Sequence, residues 1–139
     1  MLIGTYQHTI DTKGRFIMPS KFREGLGEVF YVTKGFDKCL YVLSLQEWEK
    51  FGEQLRNLPF SQTKNLKRYF FAGAAELAPD KQGRVLIPQH LREYAKLNKD
   101  IAVIGVDNKV EIWDYNIWND FNNNIDENLI FDTMSSFGI

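Results

Sequence analysis

The feature that most constrains this 139-residue chain is an internal duplication. Asp11-Thr12-Lys13-Gly14-Arg15-Phe16-Ile17-Met18-Pro19 aligns without a gap with Asp80-Lys81-Gln82-Gly83-Arg84-Val85-Leu86-Ile87-Pro88, at an offset of 69 residues. The same offset pairs Gly4 with Gly73 and Arg23-Glu24 with Arg92-Glu93. After a one-residue shift Gly35 matches Gly105, Asp37 matches Asp107, Trp48 matches Trp118 and Phe51 matches Phe121. Self-similarity at a fixed period marks a unit used more than once. The chain therefore divides into a first half, residues 1–58, a linking helix, residues 59–71, and a second half, residues 72–139. The two halves are expected to form one compact domain.

Within each copy, period and punctuation predict the elements. Tyr6 to Ile10 reads as a strand entering a tight turn at Lys13-Gly14, where glycine supplies the positive φ that such a turn needs. Phe16-Ile17-Met18 is a short apolar strand stopped by Pro19, and proline suits the first turn of the helix that follows. Phe22 and Leu26 give that helix an inward face, and Gly25 and Gly27 end it. Val29–Thr33 and Leu40–Leu43 read as a hairpin around Gly35-Phe36-Asp37-Lys38. Ser44-Leu45-Gln46-Glu47 is a capping box, followed by Leu45, Trp48, Phe51 and Leu55 at helical spacing. The second copy repeats this order through Val85–Ile87, a helix after Pro88, a hairpin from Ile101 to Trp113 and a helix capped by Asp114. Ala72 to Ala78 has helical propensity, yet it occupies the place of the first strand. The repeat decides for a strand, because propensity is a weak prior. Between the copies, Ser61 to Phe71 predicts a helix. The most polar stretch, Asn119 to Asn128, is the one segment with a disordered composition.

Composition excludes several classes. Cys39 is the sole cysteine, which rules out a disulfide within the chain and any cysteine-based zinc cluster, and it reads as a small core residue. No stretch approaches the roughly 20 apolar residues of a membrane span, and the N-terminus lacks the pattern of a signal peptide. His8 and His90 stand apart from other ligands. No glycine-rich phosphate loop, nucleophile elbow or acid–base pair occurs, so no cofactor, metal or small-molecule substrate is expected and the chain is not read as an enzyme. Net charge is −1, against the basic excess common in nucleic-acid binders. The distribution is uneven. From Asp11 to Glu24 four cations, Lys13, Arg15, Lys21 and Arg23, face two anions, while Asp120, Asp126, Glu127 and Asp132 make the C-terminal end acidic.

The repeated Asp-x-x-Gly-Arg carries the chemistry. An aspartate can hold backbone amides at a turn, and glycine permits the turn itself. The arginine then stands at the edge of a rigid hairpin, where its planar fork suits phosphate oxygens or guanine O6 and N7. Asp11 and Asp80, with Gly14 and Gly83, are read as structuring the turns, each aspartate closing its turn on Arg15 or Arg84. The arginines, with Lys13 and Lys81 nearby, are read as facing outward. Arg23 and Arg92 either extend the basic surface or pair with nearby carboxylates. Lys64, Lys67 and Arg68 form a charged stripe on the linking helix, read as a solvated face. Trp48, Trp113 and Trp118 fall on apolar faces and are read as core.

Two copies of Asp-x-x-Gly-Arg, each followed by an apolar triplet, Pro and an Arg four residues on, resemble the paired motifs of the MraZ family. The likeness spans essentially the whole chain, including Phe71 to Glu76 and Val110-Glu111-Ile112-Trp113. Pro79 stands where the family commonly has an aliphatic residue. The resemblance implies an α+β fold with a mainly β core: an AbrB-like swapped-hairpin β-barrel built by the two halves, with helices outside. It also implies a homo-oligomeric ring of about eight subunits. The implied function is sequence-specific transcriptional regulation, mainly repression, through short direct repeats in the promoter of the division and cell-wall gene cluster. The implied location is the cytoplasm, in association with the nucleoid. Such a ring would answer the charge objection, since linked weak sites gain avidity. Lys13 and Arg15 are expected to touch DNA most directly. Lys81 and Arg84 are given a second or interface role, and Lys21, Arg23 and Arg92 extend the surface. The competing reading is a ring-forming scaffold that binds proteins, in which the aspartate of one subunit pairs with the arginine of the next.

Overall fold

The computed structural model describes every residue from Met1 to Ile139. In the first repeat, strand β1 (Leu2–Thr9) enters the Asp11 turn and emerges as β2 (Arg15–Ile17). Helix α1 (Ser20–Leu26), strands β3 (Phe30–Lys34) and β4 (Leu40–Ser44), and helices α2 (Leu45–Arg56) and α3 (Phe60–Phe71) follow. The second repeat runs β5 (Ala75–Leu77), β6 (Arg84–Leu86), α4 (Gln89–Tyr94), β7 (Asp100–Asp107), β8 (Val110–Asp114), α5 (Tyr115–Asn123) and α6 (Glu127–Ser136). The class is α+β, and every strand pairing is antiparallel.

Local chemistry places the boundaries. Pro19 and Pro88 precede α1 and α4 with φ of −52° and −56°, the value the pyrrolidine ring imposes. Gly27, at φ +87°, ends α1, whereas Gly25 lies inside its last turn. The Ser44 hydroxyl accepts from the Glu47 amide at 3.2 Å, and the Asp114 carboxylate from the Ile117 amide at 3.1 Å, so each copy caps its hairpin-following helix in the same way. Ala75–Leu77 is a strand despite its propensity, because Val32 to Phe30 offer it a ladder. Two sequence expectations shift. β1 begins at Leu2 rather than near Tyr6, since β7 pairs with it along its full length, from Leu2 opposite Asp107 to Thr9 opposite Asp100. The Asn-rich stretch is mostly helical: α5 reaches Asn123, and the Asp126 side chain accepts from the amides of Asn128 and Leu129 to start α6.

The topology exchanges strands between copies. The six-stranded sheet has the order β1-β7-β8-β4-β3-β5, and a second ladder pairs β2 with β6. Replacing each strand by its repeat counterpart reverses the six-stranded order and leaves it unchanged. β1 therefore pairs with the hairpin of the second copy, and β5 with the hairpin of the first. The core lies between the two sheets and draws on both halves. Phe16, Phe22, Phe30, Val32 and Val42 pack with Val85, Ile87, Leu91, Ile101 and Ile112. Burying one such large side chain contributes about 1.5–3 kcal/mol, so neither half keeps its core alone. The other face of the six-stranded sheet is covered by α2 and α3 on the first copy and by α5 on the second. Cys39 is buried there with Ala102, Ile104 and Trp113. Burial pushes its thiol pKa up, in keeping with an inert core residue. No helix is long and apolar enough to cross a membrane.

The exchanged strands β1 and β7 lie close together at Gly105, where an added Cβ would be 2.6 Å from the Ile3 nitrogen and the Leu2 carbonyl carbon. Backbone atoms cannot move aside as a side chain can. Gly105→Ala should therefore lower stability by about 1–3 kcal/mol. Gly73→Ala, whose Cβ would meet nothing nearer than 3.7 Å, should stay within about 0.5 kcal/mol of the parent. Urea denaturation midpoints compare the two, and equal midpoints would refute the β1–β7 register.

Candidate functional site

Each Asp-x-x-Gly-Arg turn is organised by its own carboxylate. Asp11 Oδ1 accepts from the backbone amides of Lys13 and Arg15, both at 2.9 Å, and Oδ2 accepts from Arg15 Nε at 2.9 Å. Backbone bonds from the Asp11 amide to the Arg15 carbonyl and from the Gly14 amide to the Asp11 carbonyl close the loop at 2.8 and 3.0 Å. The second copy reproduces this set. Asp80 Oδ1 accepts from the amides of Gln82 and Arg84 at 2.9 Å, and Oδ2 from Arg84 Nε at 2.8 Å, so Pro79 does not disturb the turn. Gly14 and Gly83 take φ of +88° and +80°, where a side chain would be strained. The Arg15 and Arg84 amides, with their guanidinium bonds and charge, hold Asp11 and Asp80 below the usual carboxylate range against the opposing effect of desolvation. Both pairs form within one chain.

The two turns meet through the β2–β6 ladder, with Arg15 opposite Leu86, Phe16 opposite Val85 and Ile17 opposite Arg84. Cross-strand partners point to the same side of a ladder, and neighbours along a strand to opposite sides. Arg15, Ile17, Arg84 and Leu86 thus share one face, and Phe16 and Val85 share the other. Phe16 and Val85 are buried, while Ile17 is 49% and Leu86 52% exposed. The Arg15 and Arg84 side chains keep 28% and 33% of their surface open. Their hydrogen bonds to the protein end at Nε, which leaves the terminal N–H groups free to donate.

Arg23 and Arg92 have a different place. A Cβ on Gly14 would lie 2.6 Å from the Arg92 guanidinium carbon, and one on Gly83 would lie 3.1 Å from an Arg23 terminal nitrogen. Each arginine therefore packs against the turn of the other copy. Arg92 Nε donates to the Ile87 carbonyl at 2.9 Å, and the Ile87 amide donates to the Gly14 carbonyl at 2.9 Å. Arg23 Nε is buried and has no partner. Neither arginine pairs with a carboxylate, since the ion pairs are Arg15–Asp11, Arg84–Asp80 and Lys50–Glu47. Lys13, Lys81 and Lys21 are exposed.

Sequence reasoning passed over three residues here. Ile17 and Leu86 were legible from the period of two, since an inward Phe16 or Val85 turns both of its neighbours outward. His8 was not legible. It lies in a cleft with Lys21 and Arg23, although it is 13 residues from the nearer of them in the chain. Partial burial lowers its pKa. His90, the other histidine, places Nε2 2.8 Å from the Gly73 carbonyl.

Comparison with known proteins is consistent along the chain. The family model for the MraZ protein, described as antitoxin-like, matches twice, over residues 1–67 and 70–136. The transcriptional regulator MraZ of Acetivibrio thermocellus is 52% identical, with 100% of each chain covered. That of Clostridium tetani is 49% identical, again over 100% of both. The solution structure of PHS018 from Pyrococcus horikoshii, 14% identical, aligns over 81% of this chain and 88% of its own with a TM-score of 0.33, too low to bear on the fold.

The turn carboxylates make stability depend on acid. Because Asp11 and Asp80 have folded pKa values below the ordinary 3.8, their stabilisation is complete above that value and is lost as pH falls through the lower folded values. The urea midpoint of the parent should fall between about pH 4 and pH 2 more steeply than that of an Asp11→Asn/Asp80→Asn variant, which should start lower at neutral pH. Parallel pH profiles would show that the carboxylates do not hold the turns.

Proposed function

The chain belongs to the MraZ family of transcriptional regulators, and from that membership we propose that it binds DNA as a sequence-specific repressor. Its sites are short direct repeats in the promoter of the division and cell-wall gene cluster, and it acts in the cytoplasm on the nucleoid. The observation that carries this reading is the shared face of the β2–β6 ladder. Two guanidinium groups stand on it, each oriented by an aspartate through Nε, with their terminal N–H groups unpaired. A fixed guanidinium can donate twice to guanine O6 and N7 or to a phosphate. Ile17 and Leu86 between them add an apolar surface suited to a thymine methyl group or to deoxyribose.

In this reading Arg15 and Lys13 make the leading contacts, and Arg84 and Lys81 make a second set. Lys21 adds a phosphate contact at the rim. Arg23 and Arg92 support the surface chiefly by bracing the opposite turns. Residues 1–58 and 72–139, joined through 59–71, act as one unit. The exchanged strands and the reversed sheet order favour an AbrB-like swapped-hairpin barrel. Several such units in a ring would present successive faces to DNA boxes spaced about one helical turn, roughly 10 to 10.5 base pairs, apart. The pairing of Asp11 with Arg15 inside one chain favours this reading over the scaffold one, in which those groups join neighbouring subunits.

Fragments selected by the protein from its own genomic DNA would supply the probe. In a mobility-shift titration on such a fragment, Arg15→Ala should lose about 1–3 kcal/mol of specific binding. Lys13→Ala should flatten the dependence of log affinity on log salt by about 0.9, the value of one phosphate contact. If Arg15→Ala leaves affinity and salt slope where they were, Arg15 does not meet DNA.

A further inference from the structure

The two copies differ in the corner between the first strand and the first helix. At the offset of 69, His8 answers to Leu77 and Lys21 to His90. Leu77 is buried in the core, and His90 places Nε2 2.8 Å from the Gly73 carbonyl. Arg92 Nε likewise has its acceptor in the Ile87 carbonyl, at 2.9 Å. In the second copy these positions are engaged within the chain.

The first copy leaves the same corner open and cationic. Its cleft is framed by Tyr6 and His8 of β1, by the segment from Ile17 to Lys21, and by Arg23 of α1. Tyr6 and His8 stand on one side of β1, and Tyr6 rests edge-on against Phe22 at 5.1 Å, so His8 is turned toward α1. Lys21 is exposed and joins no ion pair, and Arg23, braced on the Gly83 turn, has no acceptor at Nε. No carboxylate lines the cleft. Asp11 is engaged with Arg15, Glu24 of α1 lies outside the cleft, and Asp100 of β7 pairs with Thr9 and so points to the opposite side of the sheet from His8. Partial burial disfavours the charged imidazole, so His8 is neutral at neutral pH in the free protein. Ile17 belongs both to this cleft and to the outward face of the β2–β6 ladder, which makes the two one continuous surface.

We propose that this cleft seats a phosphate of the DNA backbone, with Lys21 and the His8 imidazole donating to its oxygens and His8 binding a proton as the phosphate enters. This rests on the DNA reading and adds a pH-sensitive contact beside the arginine face. A phosphodiester brings a full negative charge to the cleft, and an opposite charge within about 4–6 Å favours the protonated ring. A group that holds its proton more tightly in the complex than in the free protein draws the equilibrium toward the complex as pH falls. Affinity should therefore rise from about pH 7.5 to about pH 5.5, the range in which histidine titrates. Asp11 and Asp80 stay ionised throughout, since their pKa values lie below 3.8.

Binding titrations on a genomic fragment selected by the full chain, at constant ionic strength and both pH values, test it. The parent should bind about five- to tenfold more tightly at the lower pH, as a pKa one unit higher in the complex requires. His8→Leu, which carries the side chain found at position 77, should keep the affinity of the higher pH and lose the rise. His8→Lys should show the low-pH affinity at both. The chain has two histidines, and His90→Gln should respond to pH as the parent does. In NMR spectra the DNA fragment should raise the His8 pKa, and inorganic phosphate alone should not. A parent indifferent to pH, a His8→Leu variant that keeps the rise, a His90→Gln variant that loses it, or inorganic phosphate that shifts His8 as far as DNA does would each overturn the proposal. Those results leave the DNA reading standing, because Arg15→Ala tests it separately at either pH. Failure of the parent to bind any fragment would sink both.

Discussion

Eight consecutive residue pairs join β1 to β7, and each of them links the first repeat to the second. A backbone that leaves an N–H or C=O unpaired away from water loses stability, so a first strand must find a ladder. Here it finds one on the other copy, and β5 does the same in return on β3. The rest of the architecture follows from that exchange. It brings the two short strands β2 and β6 together, closes the core between the sheets, and sets both Asp-x-x-Gly-Arg turns at opposite ends of one three-residue ladder. A duplication without exchange would give two separate small units, each with a smaller core and correspondingly marginal stability.

Within that frame the turns are stiff because each carboxylate satisfies three donors at once, two of them backbone amides. The exposed ion pair contributes little by itself. Its effect is on position: an arginine whose Nε is engaged sweeps less space with its terminal nitrogens and gives up less conformational entropy when they bind. The glycines serve a second purpose beyond their positive φ. The space a side chain would occupy at Gly14 holds the Arg92 guanidinium, and Gly83 makes room for Arg23. Each turn is thus held by a cation from the opposite copy, and four arginines that look alike in sequence divide into two that face outward and two that brace.

The symmetry is incomplete where the helices are concerned. α3 is seated by aromatic contacts and by a hydrogen bond from the Thr33 hydroxyl to the Phe70 carbonyl, whereas α6 has no buried residue. Charge follows the same division. Lys64, Lys67 and Arg68 lie on α3, and Asp126, Glu127 and Asp132 lie at or near the start and middle of α6. The second helix of the first copy is thus packed, and that of the second copy stands clear.

Much of this was legible in the residues. The offset of 69 established the duplication, the prolines and glycines marked the turns and helix ends, and the two-residue period of Arg15-Phe16-Ile17 held inward and outward sides that the reading of an apolar triplet passed over. Such features are local, since a turn, a cap or a two-residue period depends on atoms a few bonds apart. The sequence did not say which copy each first strand would join, where Arg23 and Arg92 would lie, that His8 would share a cleft with Arg23, or that α6 would stand clear. Those outcomes depend on contacts between segments far apart in the chain, and identical local patterns in two repeats are equally compatible with pairing inside a repeat or across it. Only packing of the whole chain, in which one arrangement buries a common core, separates the alternatives.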